Sequence, residues 1–160
     1  LMSNHMHLLL RQVMDNGVVS FMRKFGTGVA KFFNTKYERK GHVFQNRFHA
    51  VHVEDDDQLR TVFVYVHTNP VALLESGWKE RGARNVAQTI KFLEQKYRWS
   101  SYWDMLGKKN FPSITEKEKD FMLEVMGGAG GCKKAVDDWV KYKSAPKPVV
   151  GVAKLNMVNL

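Results

Sequence analysis

Two histidines stand one residue apart near the start of the chain, as His5-Met6-His7. Side chains alternate faces along a strand, so an extended stretch here would aim both imidazoles the same way. Further on, YVHTNPV runs from Tyr65 to Val71. Tyr65 and Asn69 are four residues apart, which on a helix puts them on one face. One strand would thus offer two imidazoles, and one helix a phenol and an amide. That set can hold a divalent metal and attack a phosphodiester. A blander reading competes with it: His5 and His7 as ordinary strand histidines, Tyr65 as a core tyrosine. His67 is a candidate proton shuttle beside Tyr65, but positions two apart on a helix face different ways, so it reads as structural.

Several elements must position these groups. His5 to Leu10 reads as a buried strand, and Asp15-Asn16-Gly17 as a turn. From Val18 to Arg39 the apolar residues Phe21, Phe25, Val29, Phe32 and Phe33 fall at helical spacing, weakened by Gly26 and Gly28, with Gly41 as a stop. Phe48 to Val53 alternates like a strand. The acidic run Glu54 to Asp57 reads as the cap of a helix whose stripe is Leu59, Val62, Phe63 and Val66. Asn69-Pro70 ends it, because the residue before a proline avoids the α region. A helix is predicted over 83–97, with Val86, Ile90 and Leu93 as its stripe. Glu116 to Met126 looks helical, Gly127 to Gly131 reads as a flexible break, and Cys132 to Lys143 as a short helix. The tail beyond Ser144 holds Pro146 and Pro148, lacks periodicity and reads as poorly ordered.

Composition narrows the partners. The chain has 160 residues and a formal net charge of +9, so polyanions are its default partners. Between Ser20 and Ala50 stand Arg23, Lys24, Lys31, Lys36, Arg39, Lys40 and Arg47, against Glu38 alone. Phe21, Phe25, Phe32, Phe33, Tyr37, Phe44 and Phe48 are interleaved with them. The basic side chains read as phosphate contacts and the aromatics as core, although base stacking by the rings is the alternative. For Arg47 an ion pair with the Glu54–Asp57 run is an equal alternative. A single cysteine, Cys132, excludes an internal disulfide and a cysteine-cluster metal site. With no signal peptide and no apolar run long enough to span a bilayer, the expectation is a cytoplasmic protein with no membrane partner.

Four stretches, in order, carry a family resemblance: NHMHLLL, GHVFQNRFHAVHVEDD, YVHTNPV and WSSY. Together they resemble the IS200-like transposases, and more narrowly the REP-associated tyrosine transposases of the HUH nuclease superfamily. The likeness covers Leu1 to Tyr102. It implies an α+β fold: a ferredoxin-like antiparallel sheet with packed helices, here followed by a helical C-terminal extension. Residues 1–107 would be a partial catalytic core, and 108–160 the extension with its flexible tail. The chain starts at the motif strand, without the strand and helix that precede it in the family, and is therefore expected to be a fragment, a truncated reading frame or the product of a misassigned start codon. A sheet so shortened would expose an edge and favour a homodimer or poor solubility. The stretch between Val71 and Trp99 exceeds the family's short connection, so the helix read over Ala83–Tyr97 looks like an insertion.

The resemblance also implies a reaction, the cleavage and rejoining of single-stranded or hairpin DNA. Tyr65 would be the nucleophile and form a 5′-phosphotyrosine. A phenol with a pKa near 10 is a poor nucleophile at neutral pH and needs help. His5, His7 and, by resemblance, Asn69 would ligate Mg²⁺ or Mn²⁺. The alternative from a different class is a non-catalytic DNA-binding remnant, in which the shortened sheet fails to hold His5 and His7 in register. Replication initiators and relaxases share the paired histidines, but NPV followed by WSSY points away from them.

Overall fold

In a computed structural model, residues 1–146 are described, with backbone alone for 112–117. The chain is helical: α1 Gly17–Lys36, α2 Asp56–Thr68, α3 Val71–Leu74, α4 Trp78–Arg81, α5 Val86–Lys91 running on into a π turn Phe92–Lys96, α6 Tyr102–Met105, α7 Pro112–Met126 and α8 Gly128–Ser144. None of the described helices is long and apolar enough to cross a membrane.

The expected ferredoxin-like antiparallel sheet is overturned, since the described residues contain no strand. His5 to Leu10 and Phe48 to Val53 are irregular. A strand exists only where a neighbour takes its N–H and C=O groups. Alternating side chains show which face a segment could bury, not that a pairing partner is present. The sheet-edge argument for a homodimer falls with the sheet.

The chain divides into two compact units, Met6–Leu59 and Leu1–His5 with Arg60 onward. In the first, the Asp-Asn-Gly turn forms as read, with Asn16 left-handed at φ 56° ahead of α1. Beyond Lys36 the chain turns at Glu38 (φ 50°) and Gly41 (φ 96°), and the Asn34 amide donates to the Gly41 carbonyl at 2.9 Å. No residue of α1 is buried, which corrects the reading of its aromatics as core. The rings pair along the helix instead: Phe21 stacks on Phe25 at 5.7 Å, and Phe33 meets Tyr37 in a tilted pair at 4.6 Å. Cations cover others, with Lys36 5.7 Å from the Phe32 ring and Arg39 5.5 Å from Phe33. The i,i+4 contacts among these contribute about 0.2–0.5 kcal/mol each, far less than the roughly 1.5–3 kcal/mol of a fully buried large apolar side chain.

The acidic run caps α2 as expected. Asp55 Oδ1 accepts from the Gln58 N–H at 2.7 Å, and Gln58 Oε1 accepts from the Glu54 N–H at 2.7 Å. The reciprocal bonds satisfy two of the donors a helix start leaves open.

The core belongs to the second unit. Phe63 of α2, Val71, Trp78, Leu93, Tyr102 and Met105 are buried with Met122, Val125 and Met126 of α7 and Cys132, Val136 and Val140 of α8. The last three fall at i, i+4 and i+8, one helical face. The predicted helix over 83–97 forms over 86–96, capped by the Asn85 side chain, which accepts from the Gln88 N–H at 2.9 Å. Its last turn widens to π, and the Trp103 indole N–H donates to the Leu93 carbonyl there at 2.9 Å. The expected break over 127–131 shrinks to a corner at Gly127 (φ 77°, ψ 38°), and α8 begins at Gly128. A Cβ at Gly131 would lie 1.8 Å from the Met126 carbonyl oxygen, so only glycine lets α8 start this close to the end of α7. Gly131→Ala is expected to destabilise the protein by about 2 kcal/mol, the range of overpacked sites, read as a lower urea midpoint. An unchanged midpoint would show that the corner relaxes freely. The expectation of a poorly ordered tail falls on 147–160, outside the described residues.

Candidate nuclease site

α2 carries the phenol of Tyr65, and Asn69 directly follows its last residue. The Asn69 N–H donates to the Tyr65 carbonyl at 3.0 Å, one helical turn back. Thr68 Oγ donates to the Val64 carbonyl at 2.8 Å and helps close the last turn before Pro70. Asn69 is buried, whereas Tyr65 keeps 47% of its surface exposed. The phenol is therefore open to solvent, while the amide is shielded from it.

The opening residues lie against this helix. The Tyr97 hydroxyl donates to the Leu1 carbonyl, and the Met2 N–H donates to the His5 carbonyl at 2.8 Å. His5 then meets Asn69, its Nε2 3.3 Å from the amide nitrogen Nδ2. On its other side, Nδ1 lies 2.7 Å from Asn4 Oδ1. A proton on Nδ1 satisfies both contacts, since Nδ1–H donates to Asn4 and the Nε2 lone pair accepts from Asn69. That tautomer is the one a metal-ligating imidazole uses, with its far nitrogen held by a side-chain oxygen.

The structure therefore brings together His5, Asn69 and the helix of Tyr65. His7 is half-buried and belongs to the unit Met6–Leu59. Because no strand forms, the period-two argument that aimed His7 alongside His5 no longer applies. Arg23, Lys24, Lys31, Lys36, Arg39, Lys40 and Arg47 are all exposed. On α1, Gly28, Lys31, Phe32, Thr35 and Lys36 line a shallow hollow, in which a Cβ at Gly28 would meet nothing within 4 Å. Cations and an exposed ring thus share one surface, a phosphate-and-base pattern.

Among the described residues, no group of three or more His, Cys, Asp or Glu side chains could hold a metal ion. The donor set at hand is one imidazole and one carboxamide. A half-turn of the Asn69 amide would present Oδ1 in place of Nδ2. An imidazole and an amide oxygen suit Mg²⁺ or Mn²⁺ less obviously than zinc, and water and phosphate oxygens would have to complete the shell of either. The two side chains do not make a closed all-protein cage.

His67 is held as a packing group, in keeping with its structural reading. Nδ1–H donates to the Phe63 carbonyl at 2.7 Å, and Nε2 accepts from the Ser101 hydroxyl at 3.1 Å. The ring lies 4.2 Å from Phe63 and 5.5 Å from Tyr102, between centroids. Burial lowers its pKa to about 4, only partly opposed by the bond to Phe63. At neutral pH it is an uncharged packing group. It also explains WSSY: Ser101 bonds to His67 and Tyr102 fills the core, while Trp99 stays exposed and stacks on Phe111 at 6.4 Å.

One neighbour of Tyr65 carried no signal in the sequence. The Lys79 ammonium stands 5.5 Å from the centre of its ring. Lys79 lies outside every motif, and only the packing of α4 brings it here.

Residues 1–69 match the family model described as "Transposase IS200 like". No curated protein and no solved structure matches the chain. The matched span contains His5, His7, Tyr65 and Asn69, and ends at the buried amide.

Proposed function

Because residues 1–69 belong to the IS200-like transposases, whose substrate is DNA, we propose that this chain cuts and rejoins single-stranded or hairpin DNA through Tyr65. The observation that supports it is the meeting of His5 Nε2 with the Asn69 amide, one turn beyond the exposed phenol. The Tyr65 oxygen attacks a backbone phosphorus as the bond to the 3′ oxygen breaks. The phenol proton passes to solvent, the 3′ oxygen leaves as a hydroxyl after taking a proton, and the 5′ side stays on the protein as a phosphotyrosine. His5 and Asn69 would hold Mg²⁺ or Mn²⁺. Such an ion supplies charge stabilisation at the non-bridging phosphate oxygens. Asn69, buried and anchored at the helix end, fixes the geometry of that face. Arg23, Lys24, Lys31, Lys36, Arg39, Lys40 and Arg47 would grip the strand through its phosphates.

Calorimetric titration with Mn²⁺ tests the site. One-site binding is expected, weakened at least about tenfold in His5→Ala and in Asn69→Ala, the scale of losing a metal-site side chain. Formation of the covalent adduct on a 3′-labelled oligonucleotide should fall in parallel. Mn²⁺ binding that ignores both substitutions would remove the metal from this reading.

A second reading is a DNA-binding remnant without catalysis. It is favoured by the lack of any strand among the described residues, which removes the period-two alignment of His7 with His5. Binding of single-stranded DNA with neither Mn²⁺ uptake nor adduct would select it.

A further inference from the structure

The segment that joins the NPV and WSSY motifs brings a cation to the candidate nucleophile. We propose that Lys79 is a phosphate-contacting residue of this site and positions the strand to be cut against the Tyr65 hydroxyl. The proposal rests on the reading of Tyr65 as the nucleophile.

Three observations carry it. The Lys79 ammonium lies 5.5 Å from the centre of the Tyr65 ring. Both side chains are exposed, so a nucleic-acid backbone can touch the two at once. The backbone of Lys79 is fixed. Its neighbour Trp78 is buried, and Gly77 and Gly82 bracket α4 with φ 76° each. At Gly82 a Cβ would fall 2.2 Å from the Lys143 carbonyl oxygen, so α4 ends hard against the last turn of α8. Lys143 Nζ donates to the Lys79 carbonyl at 3.0 Å, and the Ala83 N–H donates to the Ser144 hydroxyl at 2.9 Å. The core thus holds the base of the Lys79 side chain while leaving its tip in solvent.

The chemistry suits a phosphodiester. An exposed ammonium gains little from the face of a phenol ring and more from a charge-assisted bond to a phosphate oxygen. Lys79 can therefore leave the ring when a strand arrives and remain within reach of it. Lysine serves as a compact point charge on a flexible stem, which suits a phosphate that must settle before attack.

The test uses the full chain, Mn²⁺ and a randomised single-stranded oligonucleotide pool labelled at its 3′ end, with Lys79→Gln, Lys79→Arg and Tyr65→Phe. Lys79→Gln is expected to slow adduct formation by about tenfold or more. It should also flatten the plot of log binding constant against log salt by about 0.7, the loss of one single-strand phosphate contact. Lys79→Arg keeps the charge and should hold both quantities near the parent values. Equal losses in the Gln and Arg variants would mark a role in shape and overturn the proposal. So would an unchanged salt slope in Lys79→Gln, which decides the matter alone if the parent forms no adduct. An adduct that persists in Tyr65→Phe would instead fail the nucleophile reading, a result distinct from failure at Lys79.

Discussion

Tyr65→Phe should eliminate the covalent protein–DNA adduct while leaving DNA binding intact. The expected drop is on the order of a thousandfold or more, since loss of the attacking atom leaves only what binding and positioning supply. The substitution removes one hydroxyl from a side chain that is half exposed, so it opens no cavity. The ring stays in place for Lys79, and phosphate grip by the basic side chains is untouched. The other four tyrosines are poorer candidates. Tyr102 is buried, and burial, with the nearby Asp137 carboxylate adding to it, pushes its pKa upward, away from a reactive phenolate. The Tyr97 hydroxyl is engaged with the Leu1 carbonyl. Tyr37 and Tyr142 are exposed, and Tyr142 stacks on Trp139 at 5.8 Å. Of the exposed phenols, Tyr65 stands one turn from an amide that meets an imidazole. Gel mobility of a 3′-labelled oligonucleotide after denaturation reads the adduct, and Tyr142→Phe serves as the control that should keep it. Labelled protein surviving in Tyr65→Phe but lost in Tyr142→Phe would move the chemistry to α8.

How far the sequence disclosed this arrangement differs from element to element. α1 and α2 were legible because a period of 3.6 is a local signal, and the Asp55 cap lies within three residues of its partner Gln58. The two strands were not, because strand formation depends on a neighbour that no local pattern encodes. The glycines after Met126 looked like a break because glycine disfavours helix interiors. Packing overrode that preference, since Gly131 is the residue that lets two helices meet at the Met126 carbonyl. The aromatics of α1 misled for a related reason: periodic apolar residues mark a face, but burial needs something to lie on it. At the site, the one-turn spacing of Tyr65 and Asn69 was legible locally, but their suggested roles came from the family likeness. The His5–Asn69 contact bridges 64 positions, and only the family likeness hinted at it. Lys79 gave no hint, because its place beside Tyr65 is set by the clamp between Gly82 and the end of α8.

Acidification is expected to weaken the fold through His67. Its ring is buried, donates to Phe63 and accepts from Ser101, an arrangement that requires the neutral form. Its folded-state pKa is about 4 against an ordinary value of 6.5. Between those values the unfolded chain takes up a proton that the folded chain refuses. Stability from this group is therefore intact above pH 6.5 and declines as pH falls toward 4. Linkage puts the loss at about 2 kcal/mol by pH 5 and about 3 kcal/mol by pH 4. Carboxylates titrate in the same range, so the informative quantity is the difference between the parent and His67→Phe, which fills the space without a titrating nitrogen. Urea unfolding at pH 7 and pH 5 should show a parent stability that falls by about 2 kcal/mol more than that of the variant. The same protonation would reverse the bond to Ser101, whose hydroxyl must turn to accept from Nε2–H, and would put a charge into the buried seam between YVHTNPV and WSSY. Because α2 carries Tyr65 two residues before His67, any cleavage activity should fade over the same acidic window. Identical pH profiles for parent and variant would show that the imidazole gains its proton without leaving the core.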